Sequence, residues 1–192
     1  MSAKPPAKVS RFRALWLVLG VVLGGCSLIA PPPELSWERV LSAIRDRFPD
    51  VPTISTEELA KELDGSRQER PALLDVRTVD EFDVSHLKGA IRVSPNERIG
   101  AISRQFRMDQ RIVVYDSVGF RAASFARRLH QSGYTEAKYL EGGIFKWANE
   151  GRPVYRGEKR VNVVHPSDSY WGQLLKKDHR SISLFDLSGP IF

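Results

Sequence analysis

The residues best suited to chemistry lie in the loop Asp116-Ser117-Val118-Gly119-Phe120-Arg121-Ala122. It follows the β-branched run Arg111-Ile112-Val113-Val114-Tyr115 and leads into a stretch with Ala122, Phe125, Ala126 and Leu129 on one side. A strand, a tight loop and a helix in that order make an anion cradle. Successive loop N–H groups point inward, and the helix N-terminus adds partial positive charge. Gly119 permits backbone conformations that other residues resist, and Arg121 adds a fixed cation with several donors. Glycine and arginine are common in strand-to-helix loops, so the loop alone assigns no activity. Asp116 at its head is an oxygen nucleophile of the kind that attacks carbon or phosphorus. Turned into the cradle, its carboxylate is expected to accept loop N–H bonds, pair with Arg121 and have a depressed pKa.

The flanking sequence supplies the elements that hold this loop. Leu35, Val40, Leu41, Ile44 and Phe48 recur at helical spacing, and Pro49 stops that helix. Ser55-Thr56-Glu57-Glu58 is a capping box opening a helix with Leu59 and Leu63, and Thr78-Val79-Asp80-Glu81 is a second. Ala72-Leu73-Leu74-Asp75-Val76 suits a buried strand and Ile91-Arg92-Val93 a short one. Ile99, Ile102 and Phe106 mark another helix. Gly133 stops the helix that follows the loop, Ala137 to Leu140 is expected as the last strand, and Gly143 to Asn149 as a short helix around Phe145 and Trp147. Strands alternating with helices predict an α/β layered fold with a mainly parallel sheet. Ligands of such sheets bind beyond the carboxyl ends of the strands, which points to the turn after Tyr115.

Three segments along the chain resemble, in order, the signatures of the rhodanese family. Leu74-Asp75-Val76-Arg77, Glu81-Phe82, His86-Leu87 and Gly89-Ala90-Ile91 are similar to its first signature. Val113-Val114-Tyr115 and the loop through Arg121 resemble its active-site segment. Leu140-Glu141-Gly142-Gly143-Ile144, Trp147, Gly151 and Pro153-Val154 resemble its terminal signature, while Ser85 and Lys88 are small departures. The resemblance implies a three-layer fold, a mainly parallel central sheet with helices on both faces. It implies that Asp75 and Arg77 form buried polar links near the sheet edge and that His86 is structural. The family's reaction is sulfur transfer, in which a cysteine at the head of the loop takes a sulfane sulfur and passes it on. Here that position holds Asp116, and no cysteine is near. A carboxylate has no sulfur to form a persulfide. Related phosphatases use a loop one residue longer, still with cysteine, so the length here is that of the sulfurtransferases.

The chain has 192 residues, 29 Lys+Arg against 23 Asp+Glu, and one cysteine, Cys26. One cysteine excludes an intrachain disulfide framework and a multi-cysteine zinc site. His130, His165 and His179 show no ligand spacing, so no metal or cofactor is expected. Lys4, Lys8, Arg11 and Arg13 precede the first acidic residue, Glu34, and without them the balance is 25 basic to 23 acidic. Most of the excess charge therefore sits in a leader and not in a patch on a folded domain, which argues against nucleic acid as a partner.

Ala14 to Ala30 carries no charge, and a basic start followed by an apolar stretch is the pattern of an export signal. Leu23-Gly24-Gly25-Cys26 resembles a bacterial lipobox, which implies a lipid on Cys26. The alternative is an uncleaved signal anchor. Either reading places the protein on a membrane, with its folded part outside the cytoplasm. The expected organisation is a signal or anchor over 1–30, a proline spacer and amphipathic helix over 31–52, a rhodanese-like domain over 53–155 and an extension over 156–192. That extension can add an edge strand, dock on the body or meet a protein partner; Tyr170 and Trp171 can form a recognition patch, but docking on the body is the favoured reading. The leading expectation is a membrane-tethered module, inactive in sulfur transfer, that binds or scaffolds. Its rivals are an enzyme using Asp116 or an external thiol, and a sensor of small anions at Gly119–Arg121.

Overall fold

A computed structural model describes residues 35–66 and 68–181 of the chain. Helix α1 spans Trp37–Arg47 and is capped by the Ser36 side chain, with Val40 and Ile44 buried. Strand β1, Thr53–Ile54, leads into α2, Thr56–Asp64, through the capping box of Ser55 and Glu58. Strand β2, Ala72–Asp75, leads into α3, Val79–Val84, through the box of Thr78 and Glu81. Then come β3, Ile91–Arg92, α4, Ile99–Ile102, and β4, Ile112–Tyr115. Helix α5, Phe120–Gln131, β5, Ala137–Leu140, and α6, Gly143–Asn149, follow.

Five strands form one parallel sheet in the order β1-β5-β4-β2-β3, flanked by helices. Strand β4 is central and buried at all four positions, because a strand covered on both faces must be apolar along its whole length. In register with β2 it pairs Leu74 with Val114 and Asp75 with Tyr115. The carboxyl ends of the two central strands thus lie side by side, and the loop after Tyr115 opens there.

The expected last strand at 137–140 is followed by a separate antiparallel hairpin, β6, Val154–Arg156, and β7, Lys159–Val161. Two short 3₁₀ turns, Trp171–Leu174 and Lys177–His179, come after it. Among the described residues the extension docks on the body and adds no strand to the main sheet. Val164, Leu174 and Leu175 are buried, and Asn149 bonds the Leu174 carbonyl at 2.7 Å and the Lys176 N–H at 2.8 Å. The hydrophobic core runs from Val40 of α1 to Leu175, so it draws residues from both sides of the 53–155 segment.

Candidate active-site loop

The loop between β4 and α5 is built on three contacts. Gly119 sits at φ 114, a left-handed backbone that turns the chain into α5. The Ile144 N–H donates to the Asp116 carbonyl at 2.9 Å and the Phe145 N–H to the Ser117 carbonyl at 3.1 Å, so the start of α6 holds the loop from below. Gly143 is required there, since a Cβ on it would lie 2.3 Å from the Asp116 carbonyl oxygen, and its φ is +55. Helix α1 braces the other side, with Phe48 edge-on to Phe120 at 5.4 Å.

Asp116 is buried, 1% exposed, and its carboxylate lies inside the loop. One oxygen, Oδ1, accepts the Gly119 N–H at 2.6 Å. The other, Oδ2, accepts the Arg121 N–H at 3.2 Å and Arg121 Nε at 3.3 Å. The rest of the guanidinium faces Glu81, with Nη1 to Oε2 at 3.1 Å and Nη2 to Oε1 at 2.9 Å. The Ser117 hydroxyl donates to Glu81 Oε1 at 2.9 Å and accepts Arg121 Nη2 at 3.1 Å. All three guanidinium nitrogens are thereby engaged within the protein.

Charge follows from these bonds. Burial pushes the Glu81 carboxyl up, but the Arg121 guanidinium, the Thr78 N–H and the Ser117 hydroxyl pull it down further, to about 2. Arg121 loses by burial and gains more from Glu81 and Asp116, so it stays charged. The depressed pKa expected for Asp116 is not found. Burial raises it above the ordinary value and outweighs the Arg121 charge and the two backbone N–H donors. The bonds are those expected, and the sign of the shift is corrected by how completely the carboxyl is removed from water.

The other motif residues are structural in placement. Asp75 and Arg77 are both wholly buried at the end of β2. Arg77 Nη2 reaches Asp75 Oδ2 at 2.7 Å and the Ser85 carbonyl at 2.7 Å. The Arg77 guanidinium also lies 5.8 Å from the Tyr115 ring centre, tying β2 to β4. His86 stacks on Phe82 at 4.0 Å, and its backbone pairs with that of Tyr155. Val118 and Ala122 are buried beside the loop, and Phe120 is 45% exposed. Among the described residues no cluster of His, Cys, Asp or Glu is arranged to hold a metal ion. Cys26 lies outside the described residues.

A cavity of about 230 Å³ opens over the loop. One wall is the loop with Phe120 and Arg121, and the other is Ser167, Asp168 and Trp171 of the C-terminal extension. Sequence reasoning missed both this far wall and Glu81 as the partner of Arg121. Glu81 carried a signal in its capping box, because an acid that caps its own helix holds its carboxylate at a fixed place. For the wall at 167–171 the tail aromatics signalled docking but not its place, since the segment lies beyond the resemblance; Trp171 packs against the core, whereas Tyr170 stays exposed.

With fold and loop in view, the chain can be placed. Residues 55–150, half of the chain, match the rhodanese-like domain, and the chain belongs to that family. It is 34% identical over 103 residues to the probable adenylyltransferase/sulfurtransferase MoeZ of Mycobacterium tuberculosis, covering 53% of this chain and 26% of that protein. It is 27% identical over 95 residues to YibN of Escherichia coli, covering 47% and 65%. The chain thus spans less than two thirds of the length of either relative. A thiosulfate sulfurtransferase from Pseudomonas aeruginosa shares the fold at a TM-score of 0.52 and 18% identity, covering 72% of this chain and 26% of that one.

Proposed function

We propose that this chain is a rhodanese-like module that has lost sulfur transfer and works by binding, held on a membrane by its first thirty residues. One observation carries the loss of activity. The residue at the head of the loop is Asp116, and its carboxylate takes the Gly119 and Arg121 N–H groups and Arg121 Nε for itself. In the family resemblance those groups would serve a cysteine and the anion it carries. A carboxylate oxygen forms no persulfide, and the donors that would steady an incoming thiosulfate are already occupied. The anion-sensor reading is disfavoured by the same geometry, because Glu81 and Asp116 together neutralise the cation. Sulfur transfer through an external thiol is disfavoured by the same bonds, because Asp116 occupies the N–H donors that would steady the sulfur donor.

The membrane tether is supported by the sequence: four basic residues, an uncharged run over 14–30, and Cys26 within a lipobox-like stretch. Among the described residues no helix is long and apolar enough to cross a membrane. Intact mass of protein extracted from bacterial membranes distinguishes a chain cut before a lipid-bearing Cys26 from an uncleaved anchor.

The functional test is a thiosulfate:cyanide assay on the full-length chain beside its Asp116→Cys variant. The unmodified chain is expected to form no thiocyanate above a protein-free control, and turnover by it overturns the proposal. Activity gained by Asp116→Cys would place the loss at this one position. Continued silence would extend it to Glu81, which then competes for the Arg121 charge.

A further inference from the structure

The cavity over the loop has the same sign of charge as the anions such a loop is built to attract. It is framed by one cation, Arg121, and by Asp116 and Asp168, with Glu81 directly behind on the same guanidinium. Every Arg121 nitrogen is already committed to a carboxylate or to Ser117. Asp168 is not offset in this way. Its Oδ1 accepts the N–H groups of Tyr170 and Trp171 at 2.9 and 2.8 Å, and among the described residues no lysine or arginine forms an ion pair with it. With a proton on Asp116, two carboxylates still answer one guanidinium, so the sign of the local charge does not depend on that titration.

Two aromatic side chains join Ser117, Val118 and Ser167 in the remaining lining. Trp171 lines the far wall, edge-on to Tyr170 at 5.1 Å, and Phe120 lines the near wall with almost half its surface exposed. Arg47 and Arg127 lie over the Phe48 ring, outside the lining of the cavity. Aromatic faces beside an unpaired carboxylate favour a cation over an anion. The volume, about 230 Å³, is below the roughly 300–1,000 Å³ of pockets that enclose drug-sized molecules. It suits the end of a side chain or a small amine.

We propose that this cavity binds an alkylammonium or guanidinium group, seated against the Trp171 and Phe120 rings and the Asp168 carboxylate. The inference rests on the reading of Asp116 as a resident carboxylate and gives that binding module a ligand class. A basic side chain of a partner protein and a free small amine share this chemistry. The extension beyond residue 155 thereby supplies the far wall of the recognition surface.

The test is a titration of the full-length chain in detergent micelles, followed by the Trp171 indole N–H signal in NMR. The probes are n-butylammonium chloride and the tripeptide Gly-Arg-Gly, with n-butanol and sodium thiosulfate as controls. A saturable shift with either cation and none with the controls supports the proposal. Saturation by the amine alone assigns a small molecule, and saturation by the peptide alone assigns a partner's side chain. The variant Asp168→Asn keeps the oxygen that caps the turn and removes the charge. It is expected to weaken cation binding about tenfold, the equivalent of 1.4 kcal/mol. If that variant does not fold, raising sodium chloride on the unmodified chain reads the same charge and is expected to weaken binding. A saturable response to thiosulfate in place of the cations, no response to either cation, or binding indifferent to both Asp168→Asn and salt overturns the proposal. Thiocyanate turnover by the unmodified chain would instead strike the reading of Asp116, so the two failures are separable.

Discussion

At the scale of residues, the loop is governed by a competition between burial and pairing, and two acids settle it differently. Glu81 shares its carboxylate among a guanidinium, a backbone N–H and two hydroxyls, and its pKa falls from 4.5 to about 2. Asp116 makes good bonds too, but it is more completely desolvated and its pKa rises. Their effects on stability oppose each other as pH falls. A carboxylate with a lowered folded pKa stabilises the fold above its unfolded value and loses that contribution as pH drops through the folded one. For Glu81 this is roughly 3 kcal/mol, lost between about pH 5 and pH 2. Asp116 works the other way, since protonation relieves a buried charge. Urea unfolding across that range is expected to show a smaller loss of stability in Glu81→Gln than in the unmodified chain. Equal pH dependence in the two would remove Glu81 from the account. Asp75 and Arg77 are a different case, a wholly buried pair whose separation would leave an uncompensated charge inside the core.

At the scale of elements, the loop is shaped by what packs beneath it. The left-handed Gly143 lets the start of α6 donate to the Asp116 and Ser117 carbonyls. Gly143→Ala must push its methyl group into that carbonyl, at a cost of about 2–3 kcal/mol and with the loop displaced. Urea unfolding and the Gly119 amide signal report both effects, and a variant as stable as the parent contradicts the close approach. Most of this layer was legible in the sequence. Both capping boxes, the β-branched β4 and the small-residue face of α5 form where periodicity and turn chemistry place them, because local preference and burial agree there. The β6–β7 hairpin was not legible, and docking was one of three readings of the extension, with no sign of where it would dock. Lys159-Arg160-Val161 carries no alternating apolar pattern, and Trp171, Leu174 and Leu175 find their places only against α6 and the loop. Leu175 is 1% exposed, so Leu175→Ala is expected to cost about 2–5 kcal/mol in urea unfolding. A cost below about 1 kcal/mol would mean that the extension is not part of the core.

At the scale of the whole molecule, a rhodanese-like body is bordered by two segments that both bear on its loop. Helix α1 brings Ile44 within 3.6 Å of a Cβ position on Gly119 and sets Phe48 against Phe120, while the extension closes the opposite wall. The site is therefore filled from within by Asp116 and bounded from without by the chain's own C-terminal residues. The proposed loss of sulfur transfer rests on that arrangement, because a sulfur donor and then an acceptor would have to reach donors that Asp116 already holds. Sulfur loading tests this most directly. A Cys26→Ser full-length chain, which has no thiol, is incubated with thiosulfate and its intact mass is measured before and after cyanide. The account predicts an unchanged mass throughout. A gain of one sulfur atom that cyanide then removes would contradict it.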